Sequence, residues 1–289
     1  MSRSKTAFAT MLSALLVIGA ALAASAITAD EILDEMDNVF SVDADDTQGV
    51  LATMTMHNDY GNDVTSEYTL HLFELTAFDA AQAEGADETT HVLMYFAGGD
   101  EDGSIFLMET PEADDLDGRM WLYLPALGLT KELVSDEDQS GSFAGSSMSY
   151  GDLGGTGDLR GDYDAVILRE ESIDVDGAAH DVWVLELIAK PDADPDHARV
   201  LLWVEQVDYL TLRMEAYNGV GALESEMAFV ALGAFEGRMT PEVIRSIDHE
   251  DGTVSTVTIA DLRRPDSPLT IDLFDANALG GLDPSAYGF

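Results

Sequence analysis

The stretch Arg119–Gly155, RMWLYLPALGLTKELVSDEDQSGSFAGSSMSYGDLGG, constrains the fold of this chain more than any other. Met120, Trp121, Leu122, Tyr123 and Leu124 are consecutive large residues that favour a strand, and Pro125, which cannot donate to a ladder, stops them. A strand apolar on both faces has to be covered on both faces. A shorter apolar run from Leu127 to Val134, with Gly128 inside it, fits a returning partner strand. The chain then changes character. Ser140, Gly141, Ser142, Gly145, Ser146, Ser147 and Ser149 surround two aromatic residues, Phe143 and Tyr150. Small residues in this density let a backbone approach another element closely and change direction.

From its start, the chain has a short basic head (Arg3, Lys5), an apolar centre from Ala7 to Ala23, and the small triplet Ala24-Ser25-Ala26. This pattern predicts a secretory signal peptide over residues 1–26, cleaved after Ala26 or, as the alternative, after Ala23. Residues 27–289 then form one domain, and an exported product is expected. Behind Thr28, the residues Ile32, Leu33, Met36, Val39 and Phe40 recur at helical spacing, with Asp30 and Glu31 in the first turn, so an amphipathic helix is expected. From Gln48 the period becomes two. Val50, Ala52, Met54 and Met56 share one face of a strand, and Tyr68, Leu70 and Leu72 share one face of the next, across a turn at 58–63. A polar insertion follows at 80–89, with strands at 90–96 and 104–108. Beyond the central stretch, strands are expected near 163–170, 181–188, 200–205, 211–217, 224–231, 243–248 and 253–262. The fold class is therefore mainly β: one antiparallel sheet curled into an unclosed barrel, with an N-terminal helix and a short helical insert.

Composition removes several classes of function. There are 56 acidic and 13 basic residues, a formal net charge of −43. Such a charge opposes binding to nucleic acid or to anionic membrane surfaces. Its self-repulsion also works against a compact state unless concentrated salt screens it, so a halophilic setting is expected. No cysteine is present, which excludes disulfides, thiolate metal sites and thiol nucleophiles. The histidines His57, His71, His91, His180, His197 and His249 are scattered, and none makes a His-Glu-x-x-His pair. Asp192, Asp194 and Asp196 alternate as in a calcium loop, but His197 and Trp203 occupy the glycine and glutamate positions of an EF-hand. Gly145-Ser146-Ser147-Met148-Ser149 ends in serine and lacks the α/β context of a nucleophile elbow, so its serines are expected to cap or pack a short helix. No catalytic residue, metal or cofactor is expected.

Binding of something apolar is the remaining function. A curled sheet lined by Met54, Met56, Leu70, Leu72, Trp121, Tyr123, Trp183 and Trp203 has two options. Its own side chains fill the interior, or a helical lid leaves room for a ligand.

The order MWLYLPAL followed by SGSFAGSSMSYGDL resembles the outer-membrane lipoprotein-sorting proteins, the LolA-like periplasmic carriers, in their treponemal-type branch. ADEILDEMD at 29–37, VWVLELIAKPD at 182–192 and RVLLWVEQVDYLTLRMEAYNGVGAL at 199–223 agree with the same family. The connector is basic in that family, whereas here Lys131 precedes Glu132, Asp136, Glu137 and Asp138. The resemblance implies a monomeric, non-enzymatic carrier in the periplasm. It would hold lipid or lipoprotein acyl chains in an apolar cavity between sheet and helices, taking them from an inner-membrane transporter and passing them to an outer-membrane acceptor. The residues expected to form its lid are Phe143, Met148, Tyr150 and Leu153. The alternative is an accessory domain that serves a lipid-exporting transporter without a ligand of its own.

Overall fold

The computed structural model describes residues 27–37, 48–77, 89–99, 101–111, 118–154, 159–193 and 195–289. The predicted signal peptide, the polar insertion at 80–88 and the acidic residues Asp43, Asp45, Asp46 and Asp194 lie outside them. The first element is helix α1, Ala29–Asp37. Thr28 and Glu31 cap it reciprocally: the Glu31 amide donates to Thr28 Oγ1 (3.2 Å), and the Thr28 amide donates to the Glu31 carboxylate (2.8 Å). That bond, with a second from the Thr28 hydroxyl, holds the Glu31 carboxyl below its usual range.

Thirteen strands follow: β1 Val50–Asp59, β2 Thr65–Ala77, β3 Thr89–Phe96, β4 Ile105–Pro111, β5 Arg119–Leu124, β6 Leu129–Glu132, β7 Tyr163–Val175, β8 Ala178–Ala189, β9 Arg199–Glu205, β10 Thr211–Tyr217, β11 Leu223–Phe235, β12 Arg238–Asp248 and β13 Val254–Arg263. Every strand is antiparallel to its neighbours in a single sheet of order β6-β5-β4-β3-β2-β1-β13-β12-β11-β10-β9-β8-β7. This is the expected mainly-β, unclosed architecture, with β6 and β7 as the two edges. The sheet curls strongly at the β7 end. Four strand spacings span about 19 Å in a flat sheet, yet β7 comes within 8 Å of β11 between Cα atoms.

The strand order explains the small-residue stretch. The chain builds outward from β1 to β6, and residues 133–162 then carry it from that edge to the opposite one, where β7 begins. From β7 it builds back until β13 docks beside β1. The crossover contains three short helices, α2 Asp136–Gln139, α3 Tyr150–Gly154 and α4 Leu159–Asp162.

Register divides the side chains between two faces. Leu122, Phe106, Met94, Leu72 and Ala52 are paired in one row, and Phe96, Leu70, Met54 and Ile259 in another on the same face. This first face is covered by the crossover, which forms with it one cluster that includes Met120, Phe143 and Met148. The row Asn58, Ser255, Ser246, Met227, Met214, Leu202 and Leu185 carries the same face to the far end of the sheet. There α1 covers Trp183, Leu185, Leu187, Val200, Leu202 and Val204 through Ile32 and Leu33. The second face holds Leu51, Phe73, Leu93, Leu107 and Trp121 in one row. Residues 264–289, with 3-10 turns at Ile271–Phe274, Leu279–Gly281 and Pro284–Tyr287, cover it through Leu269, Phe274 and Leu279. As expected for β5, its two faces are both covered, with Met120 and Trp121 each less than a tenth exposed.

Because the net charge is −43, thermal stability is expected to rise between 0.1 M and 3 M KCl as the Debye length falls from about 10 Å to below about 3 Å. Each kcal/mol of relieved repulsion should appear as about 2–4 °C in Tm. A scan by circular dichroism with no upward shift would contradict this.

Candidate functional site

The crossover segment sits on the first face by packing its aromatic residues and latching its backbone. Ser142 and Ser149 form a β-bridge that closes the segment into a knot of turns. Inside it the Phe143 amide donates to the Met148 carbonyl (2.8 Å) and the Tyr150 amide to the Gly141 carbonyl (3.1 Å). Of the two expected roles, capping or packing a short helix, Ser142 and Ser146 take the second, since neither side chain caps the 3-10 turn. Ser142 Oγ donates to the Ser146 carbonyl (2.6 Å) and Ser146 Oγ to the Met148 carbonyl (3.2 Å), tightening a single 3-10 turn at Phe143–Gly145. Ala144 is left-handed, φ 49° and ψ 37°, and Gly145 follows at φ 69°. Only glycine fits at 145, because a Cβ there would lie 2.8 Å from the Tyr60 hydroxyl.

Phe143 is the centre of the packing, 2% exposed, with ring centroids 5.5 Å from Phe96, 5.6 Å from Phe106 and 5.6 Å from Tyr150. Edge-on and tilted rings at this spacing add attraction beyond simple burial. Tyr150 also lies 5.3 Å from Phe106. Its phenol is pushed above the usual range by burial and then by the charge of Glu101.

The backbone latch centres on Asn58, which is fully buried. Its Nδ2 donates to the Ala144 carbonyl (3.3 Å) and to Ser66 Oγ (3.2 Å), and its Oδ1 accepts from Ser255 Oγ (2.8 Å). Ser255 Oγ in turn accepts the Ser147 amide (2.9 Å). The left-handed turn at Ala144 thus presents a carbonyl to a polar spot of the sheet otherwise surrounded by apolar side chains.

The predicted residues divide as follows. Met54, Met56, Leu70 and Leu72 share one cluster with Phe143, Met148, Tyr150 and Leu153, so four of the sheet residues and the whole predicted lid meet. Trp183 is on the same face but under α1, beside Tyr209 at 5.7 Å. Trp121 and Tyr123 do not join them. Their partners Leu107 and Ile105 belong to the second face, and residues 264–289 cover them. Trp203 pairs with Val184 and lies opposite to Trp183, where its indole donates to Glu171 (2.6 Å) and Arg213 lies 4.9 Å over its ring. The Glu171 carboxyl is held below its usual range by Arg169 first and by that indole bond second.

Between the crossover segment and the sheet, buried side chains of one cluster pack together. Phe143, Met148, Phe106 and Met120, each buried, fill the space. Two solvent-open hollows lie elsewhere. One, about 470 Å³, is lined by Gly161, Asp162, Asp164, Lys190, Pro191, Asp192 and Ala193. The other, about 380 Å³, is lined by Trp121, Thr130, Glu132, Ala276 and Asn277. Lys190 is already engaged by the Arg160 and Gly161 carbonyls. No group of three metal-ligating side chains occurs among the described residues. Sequence reasoning missed Asn58 and Ser255. Asn58 was placed in a turn, and the signal that could have found it is a lone amide continuing the Met54–Met56 alternation.

Residues 88–280 match the model of a family whose description reads only "uncharacterized protein". A putative outer-membrane lipoprotein-sorting protein domain from Vibrio parahaemolyticus is similar at 25% identity, with 86% of this chain and 97% of that one covered and a TM-score of 0.69. The chain belongs to the LolA-like family. Two further structures share its fold. One is a DUF1329 family protein from Desulfovibrio piger (22% identity, 86% and 96% covered, TM-score 0.70). The other is a LolA superfamily protein from Nitrosomonas europaea (22% identity, 86% and 98% covered, TM-score 0.57). Curated proteins give no match.

Asn58→Leu keeps the volume but removes the donor to the Ala144 carbonyl and the acceptor of the Ser255 hydroxyl. It should lower unfolding stability in urea by about 1–3 kcal/mol and make the 142–150 segment the first site of proteolytic nicking. An unchanged cleavage pattern would show that packing alone holds the segment.

Proposed function

We propose that this LolA-like chain is an exported carrier that accepts a hydrocarbon chain on its first face when the 142–153 segment lifts. The observation carrying this reading is the way that face is covered. A methionine-rich apolar surface, Met54, Met56, Met94, Met108 and Met120, lies under a segment that is not part of the sheet. The segment is tied to the sheet at Asn58 and Ser255. Such a cover can come off without disturbing a strand. Methionine side chains adapt to partners of varied shape. Phe143 and Met148 act as the resident occupants, and an acyl chain takes their place, each buried methylene contributing about 0.8 kcal/mol. The family likeness to a lipoprotein-sorting domain supports lipid or lipoprotein acyl chains as cargo. It also supports a periplasmic setting, with a membrane transporter as donor and an outer-membrane protein as acceptor. No bond is made or broken.

The filled interior favours a second reading, an accessory domain without a ligand. Native mass spectrometry of gently purified protein separates the two, since a carrier retains lipid and the accessory domain does not.

The lid is tested directly by a tether. The chain has no cysteine, and the Ser147 amide and the Ser255 hydroxyl are in hydrogen-bond contact. The double variant S147C/S255C therefore offers the only thiol pair. Oxidised, it should lose binding of a fluorescent fatty acid at least tenfold, and reduction should restore it. Equal binding by the oxidised and reduced forms removes the lid from the mechanism. No binding by the unaltered chain removes the carrier reading itself.

A further inference from the structure

We propose that residues 264–289 form an acid-released strap, which leaves the second face of the sheet when His71 takes up a proton. The strap seats two aromatic residues on two histidines of that face. Phe289 stacks on His71 with ring centroids 4.1 Å apart and planes 21° apart, and Phe274 lies 5.4 Å from His91. Three of their four ring nitrogens are buried without a hydrogen-bond partner. His71 Nδ1 is sealed from solvent with no hydrogen-bond partner, and both ring nitrogens of His91 are likewise unpartnered.

The two histidines differ in what faces them. Glu109 of β4 places a carboxylate oxygen 3.6 Å from His91 Nδ1. Around His71 the charge is of the opposite sign. Arg263 of β13 bears on it electrostatically, and that same guanidinium lies 5.1 Å over the Phe289 ring and donates to the Tyr287 carbonyl (3.0 Å). From β3, Tyr95 stacks at 6.3 Å, and from β1 the register partner is Thr53. The nearby carboxylates are engaged with other groups. Asp261 pairs with Arg263 (3.0 Å), while Asp102 and Asp283 act on the Tyr95 phenol. A proton on His71 therefore adds a cation beside Arg263, the residue that holds the strap's far end.

The direction follows from linkage. Burial first, and Arg263 second, push His71 below its ordinary value of 6.5. The released form therefore binds the proton more readily. The docked strap keeps its full stability above that ordinary value, and loses it as pH falls from there towards the lower docked value. One proton linked in this way raises the released fraction by up to about tenfold per pH unit within that window. Release uncovers Leu51, Phe73, Leu93, Leu107 and Trp121, an apolar face separate from the one under the lid.

Trp121 reports the event. In a W183F/W203F background, acrylamide quenching of Trp121 in molar KCl should increase between pH 7.5 and 5.5 while the far-ultraviolet sheet signal stays constant. Adding His71→Phe should flatten the profile, and adding His91→Phe should leave the rise in place. In the unaltered chain, chymotrypsin cleavage after Phe274 or Leu279 should increase over the same range relative to a control peptide. A flat profile in both assays, a rise that survives His71→Phe, or a rise accompanied by loss of the sheet signal would each overturn the proposal.

Discussion

A thirteen-stranded sheet with two apolar faces is the constraint on which the rest of this structure depends. Hydrogen bonding between strands satisfies the backbone but leaves Phe106 and Met120 on one side, and Phe73, Leu93 and Leu107 on the other, all of which must leave water. The sheet does not close on itself, so three segments outside the ladder do the covering. Helix α1 protects the β8–β9 end, the 133–162 crossover protects the β1–β5 end, and residues 264–289 protect the reverse of that same end. Each cover is local in sequence and rests mainly on side-chain packing. The sheet is thus the permanent part of the molecule, and its covers are the parts that can be exchanged.

That division reconciles a packed interior with the carrier role proposed above. A permanent cavity of the size of an acyl chain would forgo dispersion contacts on every wall, a cost that grows with the empty volume. Filling the site with Phe143, Met148 and Tyr150 removes that cost in the empty state. Hydrocarbon then competes with residues of similar polarity, so the exchange is nearly balanced in burial. The bonds from Asn58 and Ser255 to the cover tip the balance towards the closed form. On the carrier reading proposed above, a site built in this way both takes up and releases its cargo.

Much of this was legible in the sequence, for reasons that differ by element. The strands were visible because alternation such as Val50, Ala52, Met54, Met56 has one cause, a half-buried ladder. The covering segment at 142–150 was visible because seven small residues around Phe143 and Tyr150 fit neither strand nor helix interior. The face of Trp121 and Tyr123 was not visible. On β5 every residue from Met120 to Leu124 is apolar or aromatic, so alternation carries no parity, and only the pairing of Leu107 with Trp121 decides it. Strand β7 ran five residues past its expected end, because Arg169, Glu170 and Glu171 hide the period on an edge strand whose bulge shifts the register there. Residues 264–289 had no period to detect, since Leu269, Phe274, Leu279 and Tyr287 are brought together by irregular 3-10 turns.

The few cations of this acidic chain are spent on its structure. Arg119 lies over Trp121 and bonds Glu132, Arg199 lies over Tyr217 and bonds Glu186, and Arg264 lies over Phe235 and bonds Glu236. Lys131, the one basic residue between the β5 strand and the lid, is paired with Asp138 at 2.5 Å. A guanidinium stacked on a ring and bonded to a carboxylate covers apolar surface and cancels one negative charge at once. With its cations committed in this way, the rim beside the lid offers chiefly carboxylates, among them Asp59, Asp63, Glu101 and Asp102, and exposed apolar residues such as Val64 and Leu127. A protein that meets this rim must then bring positive charge or rely on concentrated salt, because like-charged surfaces screened only over about 8–10 Å repel each other at ordinary ionic strength. The net charge of −43 thereby restricts the partners that can approach its cover.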